Sequence, residues 1–341
     1  MYLEGAARTV ENSNMKDSSS PKDLSDMPND VVELIIERSD YKEQLILRKT
    51  SKSLRELVDK QTPALKTLSI HCDSDYIECS YNDQRFIYAA PGSEGRQFWG
   101  EYTLIVRDDY EKVAFDDLAF ILKNPKLQLE VFEFGSSYHY SDEGVESFYK
   151  IGGRNWGLGK RFKKMQDILE SINHQLSVKA CNIDVTCLFT AMSFFPYLKP
   201  GVLEKIILRE ITDFSIDSGT MTEVARLDQW KQAKELQIKC VYVEDFPKEH
   251  TTHFKRFQIA DCYIEDGIRD FIRDFILEHE NVEFCSISNV GEEYLDATYI
   301  DTIGLTHVSP NLYHYTIPDS DHYLEFKITD KDITIEKKMK Q

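Results

Sequence analysis

The chain has 341 residues, 41 % of them hydrophobic and 12 % aromatic, and its 59 Asp and Glu against 41 Lys and Arg set the formal net charge at −18. That length leaves room for two or three domains and a core of real size, and that apolar content excludes wholesale disorder. The acid excess speaks against nucleic acid and anionic membranes as partners, since either surface repels such a chain at long range; a local basic patch is still compatible with it.

Residues 1–22 are polar, poor in large apolar groups, and end in Ser18-Ser19-Ser20-Pro21. Such a stretch cannot bury enough surface to fold and is expected to be a disordered tail. It also lacks the basic segment and apolar core of a signal peptide. The character changes at residue 23. Pro28 fits the first position of a helix, and Asp30 follows in the first turn, where a negative charge suits the helix dipole. Val31, Leu34 and Ile35 then recur at helical spacing, while Val32 and Ile36 extend the apolar surface to a second side. A surface helix needs one stripe, so two sides predict two contacts, one within its own domain and one with something else. Tyr41, Leu45 and Leu47 predict a second helix. Leu47, Ser51, Leu54 and Leu57–Val58 predict a third, with Arg48, Lys49, Lys52 and Arg55 on its polar side. Residues 23–60 are too few for a stable isolated core, so this segment should lean on a partner or on the chain that follows.

From residue 64 the period shifts toward two. Leu65–His71, Tyr76–Tyr81, Arg85–Ala89 and Tyr102–Val106 read as strands. A helix-then-strand unit then recurs: Phe115–Leu122 and Leu129–Phe134, Phe162–Ile172 and Leu176–Asn182, Val185–Phe194 and Leu203–Leu208, Met221–Gln232 and Glu235–Val241. Phe254–Ile259, a long helix Ile264–Leu277 and Val282–Ile287 continue it, and Leu312–Ile317, Tyr323–Ile328 and Ile333–Lys337 make an all-β end. The strand-to-strand step is irregular but mostly on the order of 20–30 residues, the range of solenoid repeats with one strand and one helix. Units of this kind cannot bury their own apolar face, so neighbours must stack. A curved array is expected, strands on one side and helices on the other, with a surface suited to holding another protein. No apolar run approaches the roughly 20 residues of a membrane span.

Chemistry is sparse. The seven cysteines (Cys72, Cys79, Cys181, Cys187, Cys240, Cys262 and Cys285) show no Cys-x-x-Cys spacing, which predicts reduced thiols in a cytoplasmic or nuclear protein. Residues 151–160 tempt as a phosphate loop, but Arg154 stands where its first glycine belongs and Arg161 replaces the magnesium-binding hydroxyl; a flexible insertion loop is expected instead. His250 and His253 are one residue too close for a zinc-hydrolase helix, and no glutamate lies between them. The pairs Asp116-Asp117 and Glu292-Glu293 are sequence neighbours, and adjacent residues do not share a helix face. No Gly-x-Ser-x-Gly elbow occurs. No catalytic residue, cofactor or metal is expected.

The segment Leu24-Ser-Asp-Met-Pro-Asn-Asp-Val-Val-Glu-Leu-Ile-Ile, followed by Leu45-Ile-Leu-Arg-Lys-Thr-Ser-Lys-Ser-Leu-Arg-Glu-Leu-Val58, resembles an F-box. Met27-Pro28, Asp30, Val31, Leu34–Ile35, Leu47-Arg48, Ser51-Lys52 and Leu54 match its pattern, whereas Ser39 replaces a usual leucine and Thr50 a usual valine. The remainder resembles the FTH domain of the large nematode F-box family, through residues 121–129, 229–236, the 254–287 block and Tyr313-His-Tyr-Thr-Ile-Pro318. The resemblance divides the chain into a tail (1–22), an F-box of three helices (23–60), a β-rich connecting region (61–110) and an FTH-type strand–helix repeat domain (111–341), an α+β or α/β chain with a leucine-rich-repeat-like array.

The resemblance implies a substrate-receptor subunit of an SCF-type cullin ubiquitin ligase, not itself an enzyme. Its F-box would dock on a Skp-family adaptor, and through it a cullin, by Leu24, Met27, Pro28, Val31, Leu34, Ile35, Leu45, Leu47 and Leu54. Its C-terminal array would hold a protein substrate of unknown identity. The alternative is a protein-binding scaffold without the ligase link, which the departures at Ser39 and Thr50 motivate; a nucleotide-using or hydrolytic activity around 151–160 or 250–253 is the enzymatic alternative. A basic third helix would suit an acidic adaptor, and the acidic array basic substrate surfaces.

Overall fold

The structure is a computed structural model that describes residues 24, 27–73, 75–93, 98, 100–136, 156–185, 191–210, 218–239, 250–260, 281–288, 304–329 and 331–340. The chain separates into two compact units, Met1–Ala64 and Leu65–Gln341.

The first unit holds helices α1 (Asn29–Arg38), α2 (Tyr41–Thr50) and α3 (Lys52–Lys60). Pro28 stands at the cap rather than inside the helix, and its carbonyl accepts the Val31 and Val32 N–H groups at 3.0 and 3.1 Å. α2 opens with a reciprocal box: Glu43 N–H donates to Asp40 Oδ1 at 2.8 Å, and Asp40 N–H to Glu43 Oε2 at 2.9 Å. The continuous third helix expected from Leu47 onward does not form. Leu47 belongs to α2, and Ser51 breaks the chain with an extended backbone (φ −152°, ψ 163°) while its hydroxyl accepts the Leu54 N–H at 3.2 Å. A serine hydroxyl that can cap competes with helix continuation. Val32, Ile36, Leu54 and Leu57 make the core, with Leu24, Met27, Leu47 and Val58 packed against it. Buried Gln44 is satisfied at both ends: its amide donates to the Ile36 carbonyl (3.0 Å) and its carbonyl accepts the Ala64 N–H (2.9 Å).

The second unit is built on one 14-stranded sheet. Its strands are β1 (Thr67–Cys72), β2 (Tyr76–Tyr81), β3 (Gln84–Ala89), β4 (Thr103–Val106), β5 (Gln128–Ser136), β6 (Ser177–Val185), β7 (Lys205–Glu210), β8 (Glu235–Lys239), β9 (Arg256–Ala260), β10 (Phe284–Ser288), β11 (Thr306–Ser309), β12 (Leu312–Thr316), β13 (His322–Ile328) and β14 (Asp332–Met339). In the middle, β1 and β5 to β10 lie side by side in chain order and parallel. β14, β13, β12 and β11 extend one end as an antiparallel meander; β2 and β3 extend the other, with β4 parallel to β3. The strands between residues 67 and 106 thus share their sheet with the rest of this unit.

Entry into the parallel strands follows one rule. A buried apolar residue precedes an exposed charged one: Leu65-Lys66, Leu129-Glu130, Val178-Lys179, Leu203-Glu204, Ala233-Lys234, Phe254-Lys255 and Val282-Glu283. At several of these steps one carbonyl accepts two successive N–H groups of the next strand. Lys66 O takes Glu130 (2.7 Å) and Val131 (3.2 Å), Glu204 O takes Lys234 (2.8 Å) and Glu235 (2.9 Å), and Lys255 O takes Glu283 (2.8 Å) and Phe284 (3.1 Å). The charged residues also pair across strands, Lys234 with Glu204 at 2.9 Å and Lys255 with Glu283 at 2.8 Å.

Beyond the entry the strands alternate. Rows such as Ile70, Phe134, Ile183, Leu208, Ile238, Ile259 and Ile287 are buried on one face. Helices α4 (Tyr110–Leu122), α5 (Trp156–Ser171), α6 (Ser218–Arg226) and α7 (Asp228–Gln232) accompany the sheet, with a 3-10 turn at Phe195–Tyr197, and residues 191–192 are helical too. Phe134 meets Phe162 of α5 at 4.9 Å and Phe194 at 5.1 Å between ring centres.

Of the loop expected over 151–160, residues 156–160 instead open α5, and residues 151–155 lie outside the described residues. Val185 closes β6 rather than opening a helix; residues 186–190 and the expected helix 264–277 lie outside the described residues. The single helix expected over 221–232 is two, parted at Leu227, whose backbone is extended (φ −67°, ψ 139°). β11 was not anticipated; its Thr-His-Val-Ser sequence offers little apolar alternation.

Candidate functional site

Helix α1 presents two apolar sides, and the structure sorts them. Val32 and Ile36 are 2 % and 0 % exposed, in the core of the first unit; Val31 and Leu34 are 40 % and 53 % exposed. The two core positions are four apart, so they share one side of the helix, while Val31 and Leu34 repeat three apart on another. The other residues expected to dock divide further. Pro28 is exposed, and Ile35 and Leu45 are half-buried. Leu24, Met27 and Leu47 are half-buried against the core. Leu54 is only 4 % exposed and belongs to the core, which leaves it little area for a partner. Ile46, not among the expected residues, is 56 % exposed, the most open large apolar side chain of this unit among the described residues. The signal was present: Leu45-Ile46-Leu47 puts three aliphatics in succession on a helix, and they cannot all turn inward.

The polar surroundings are ordered. Arg48 grips Asp59 with two bonds, at 2.7 and 3.3 Å, linking α2 to α3, and Arg55 Nε donates to the Arg48 carbonyl at 3.3 Å. The basic residues expected on one helix are therefore shared between two. The departures from the F-box pattern turn back on their own helices: Ser39 Oγ donates to the Ile35 carbonyl and Thr50 Oγ1 to the Ile46 carbonyl, both at 2.9 Å.

The second unit accounts for the enzymatic candidates as structure. His250 and His253 bracket Trp230: its indole N–H donates to the His250 carbonyl at 2.8 Å, and His253 Nε2 donates to the Trp230 carbonyl at 2.8 Å. Burial pushes the His253 ring below the usual histidine range, against the opposing pull of that carbonyl. Arg161 is buried and donates to Glu111 Oε1 at 3.1 and 2.9 Å, to the Tyr110 hydroxyl at 3.3 Å and to the Asp73 carbonyl. It pins α5 to α4 and to the turn between β1 and β2. Asp116 pairs with Lys112 at 2.8 Å, whereas Asp117 accepts the Tyr88 hydroxyl at 2.8 Å, so these adjacent acids serve different neighbours. Cys72, Cys79, Cys181 and Cys285 are buried and not joined in disulfides. Burial pushes Cys72 and Cys285 up to about 12, and Cys79 and Cys181 higher still, the opposite of what a nucleophilic thiolate needs. Cys187, Cys240, Cys262, Glu292 and Glu293 lie outside the described residues. Among the described residues no three metal-ligating side chains gather, and no helix is long and apolar enough to cross a membrane.

Residues 24–65 match the F-box domain family, and residues 159–303 match the FTH domain family. The chain carries an F-box and an FTH domain. The F-box match spans α1 to α3, and the FTH match runs from α5 past β10; the stretches 121–129 and 313–318 fall outside it. Among curated proteins the chain is similar to F-box A protein 224 of Caenorhabditis elegans, at 23 % identity over 276 residues, covering 78 % of this chain and 66 % of the relative. The chain thus spans just under two thirds of that relative's length. F-box domains generally bind Skp1-family adaptors that link to a cullin, and proteins that carry them are typically non-catalytic receptors.

Proposed function

We propose that this chain is the substrate-receptor subunit of an SCF-type cullin ubiquitin ligase, working in the cytoplasm, the nucleus or both. Its F-box docks on a Skp-family adaptor, and its C-terminal domain, read as a leucine-rich-repeat-like strand–helix array over 111–341, recruits a protein substrate. The observation that carries the reading is the sorting of α1: Val32 and Ile36 hold the helix to its own core, which leaves Val31 and Leu34 exposed without a role inside the unit. An apolar helix side of that kind is what a helix-in-groove contact needs. No chemistry is asked of the chain. A receptor raises the effective concentration of its target and orients a lysine for an enzyme carried by another subunit.

The test is co-purification of the full chain with a purified Skp-family adaptor. Leu34→Asp with Ile35→Asp is expected to abolish capture while circular dichroism keeps its helical and β signals. Capture at the wild-type level by the folded double variant would overturn the reading.

A second reading, a protein-binding scaffold outside the ligase, draws on Ser39 and Thr50, which put hydroxyls where the pattern has apolar groups. It predicts adaptor capture without any change in target turnover when the chain is removed.

A further inference from the structure

Residues 48–55 read Arg-Lys-Thr-Ser-Lys-Ser-Leu-Arg, four cations and three hydroxyls without an acid among them. The docking reading uses the apolar residues beside this stretch and leaves its hydroxyls unassigned. Arg48 and Lys49 stand three and two residues before Ser51. Basophilic protein kinases read that spacing: acidic groups in their substrate cleft hold cations at both positions and present the hydroxyl to ATP. Ser51 is the single residue between α2 and α3, already extended at φ −152° and ψ 163°, and Thr50, Lys52 and Ser53 around it are exposed. A kinase cleft takes its substrate extended, so engaging residues 48–52 requires opening the end of α2 and the start of α3, where helices fray at little cost, and releasing Arg48 from Asp59 and Arg55.

We propose that Ser51 is a phosphorylation site for a basophilic serine/threonine kinase, and that its phosphate weakens docking at the F-box. The second half rests on the adaptor reading above. In the transfer, a bond forms between Ser51 Oγ and the γ-phosphorus of ATP and the bond to the β,γ-bridging oxygen breaks. ADP leaves, and the hydroxyl proton passes to the base of the kinase. The product carries about −1.5 to −2 charge at neutral pH. It cancels roughly half the positive charge of a stretch whose cations suit an acidic partner, and it competes with Asp59 for the Arg48 guanidinium. Like-charge contact at an interface slows association and costs affinity.

The experiment treats the full chain with the catalytic subunit of a cAMP-dependent-type kinase and ATP, and maps phosphate by tandem mass spectrometry. Phosphate is expected on Ser51, retained in Thr50→Ala, Ser53→Ala and the cap-preserving Ser51→Thr (there on the threonine), and lost in Ser51→Ala. Lys49→Glu is expected to slow the reaction at least tenfold. Phosphate placed elsewhere, or undiminished in Ser51→Ala, overturns the site. Titration of a purified Skp-family adaptor then compares modified and unmodified chain, with a tenfold or larger loss of affinity expected. Equal affinity overturns the switch. An unmodified chain that fails to bind the adaptor overturns the docking reading and the switch with it, while the mass spectrum still decides the site.

Discussion

Gly135 is small because of its neighbour. A Cβ built there would stand 2.2 Å from Asp184 Oδ2 on the adjacent strand. Asp184 cannot simply turn away, since Arg209 Nε holds its Oδ1 at 2.7 Å while the same guanidinium also meets Glu133. Gly135→Ala should therefore destabilise the second unit by about 1–3 kcal/mol, the usual cost of overpacking. Adding Asp184→Ala should recover part of the loss in a thermal melt; a double variant no better than the sum of the singles would show that the contact is not the cause. The Glu111 cluster makes a pH prediction. Burial alone would raise this carboxyl, but the bonds from Lys164 (2.6 Å) and Arg161 outweigh it and hold the group below its ordinary value. A depressed carboxylate stabilises the fold above its unfolded pKa, and that contribution fades as pH falls through the folded one. Glu111→Gln should thus cost about 2 kcal/mol at pH 7, because it strands a buried guanidinium, and the gap to wild type should narrow as pH drops below about 4. Melts of both proteins at pH 7 and pH 3.5 check the sign.

At the scale of the element, the contrast between Leu54 and Leu34 separates the core from the proposed docking face. Leu54→Ala should lower the stability of the first unit by about 2–4 kcal/mol. Leu34→Ala should stay within about 0.5 kcal/mol of wild type and still weaken adaptor capture. Equal destabilisation by both would mean that α1 does not carry two distinct sides. The same helix shows what the sequence made legible. Its two apolar sides were readable because Val31, Val32, Leu34, Ile35 and Ile36 leave no room for a single stripe, yet which side turns inward depends on Leu54 and Leu57, residues of another helix. The parallel strands were legible to within two or three residues through their alternation. The breaks at Ser51 and Leu227 were not, because each interrupts an apolar period that runs on across it: Ser51 by capping, Leu227 by an extended backbone. Trp156–Lys160 read as a loop for a different reason, since Gly157 and Gly159 are poor helix formers and hide the backward extension of the helix expected from Phe162.

At the scale of the whole chain, the opening charge excess looks different. On the sheet many charges are spent on one another, Lys205 and Arg256 with Glu235, Lys338 with Glu336, Arg209 with Asp184. Preference for basic substrate surfaces thus draws little from these positions. The division at Ala64 predicts that a fragment 65–341 folds alone. Its circular dichroism should be strand-rich and its denaturant transition cooperative, and a fragment lacking a transition would show that the sheet needs the helices before it.

The clamp at the start of several parallel strands has a consequence for the spaces between them. The chain from Lys66 to Glu130 is about twice as long as that from Glu204 to Lys234 or from Lys255 to Glu283, yet each later strand is caught by the carbonyl of the one before it. Closing a longer excursion costs only logarithmically more entropy, about 0.6 kcal/mol per doubling. Register in this sheet is thus set locally at the point of entry, and the connecting segments are free to differ without moving a single strand.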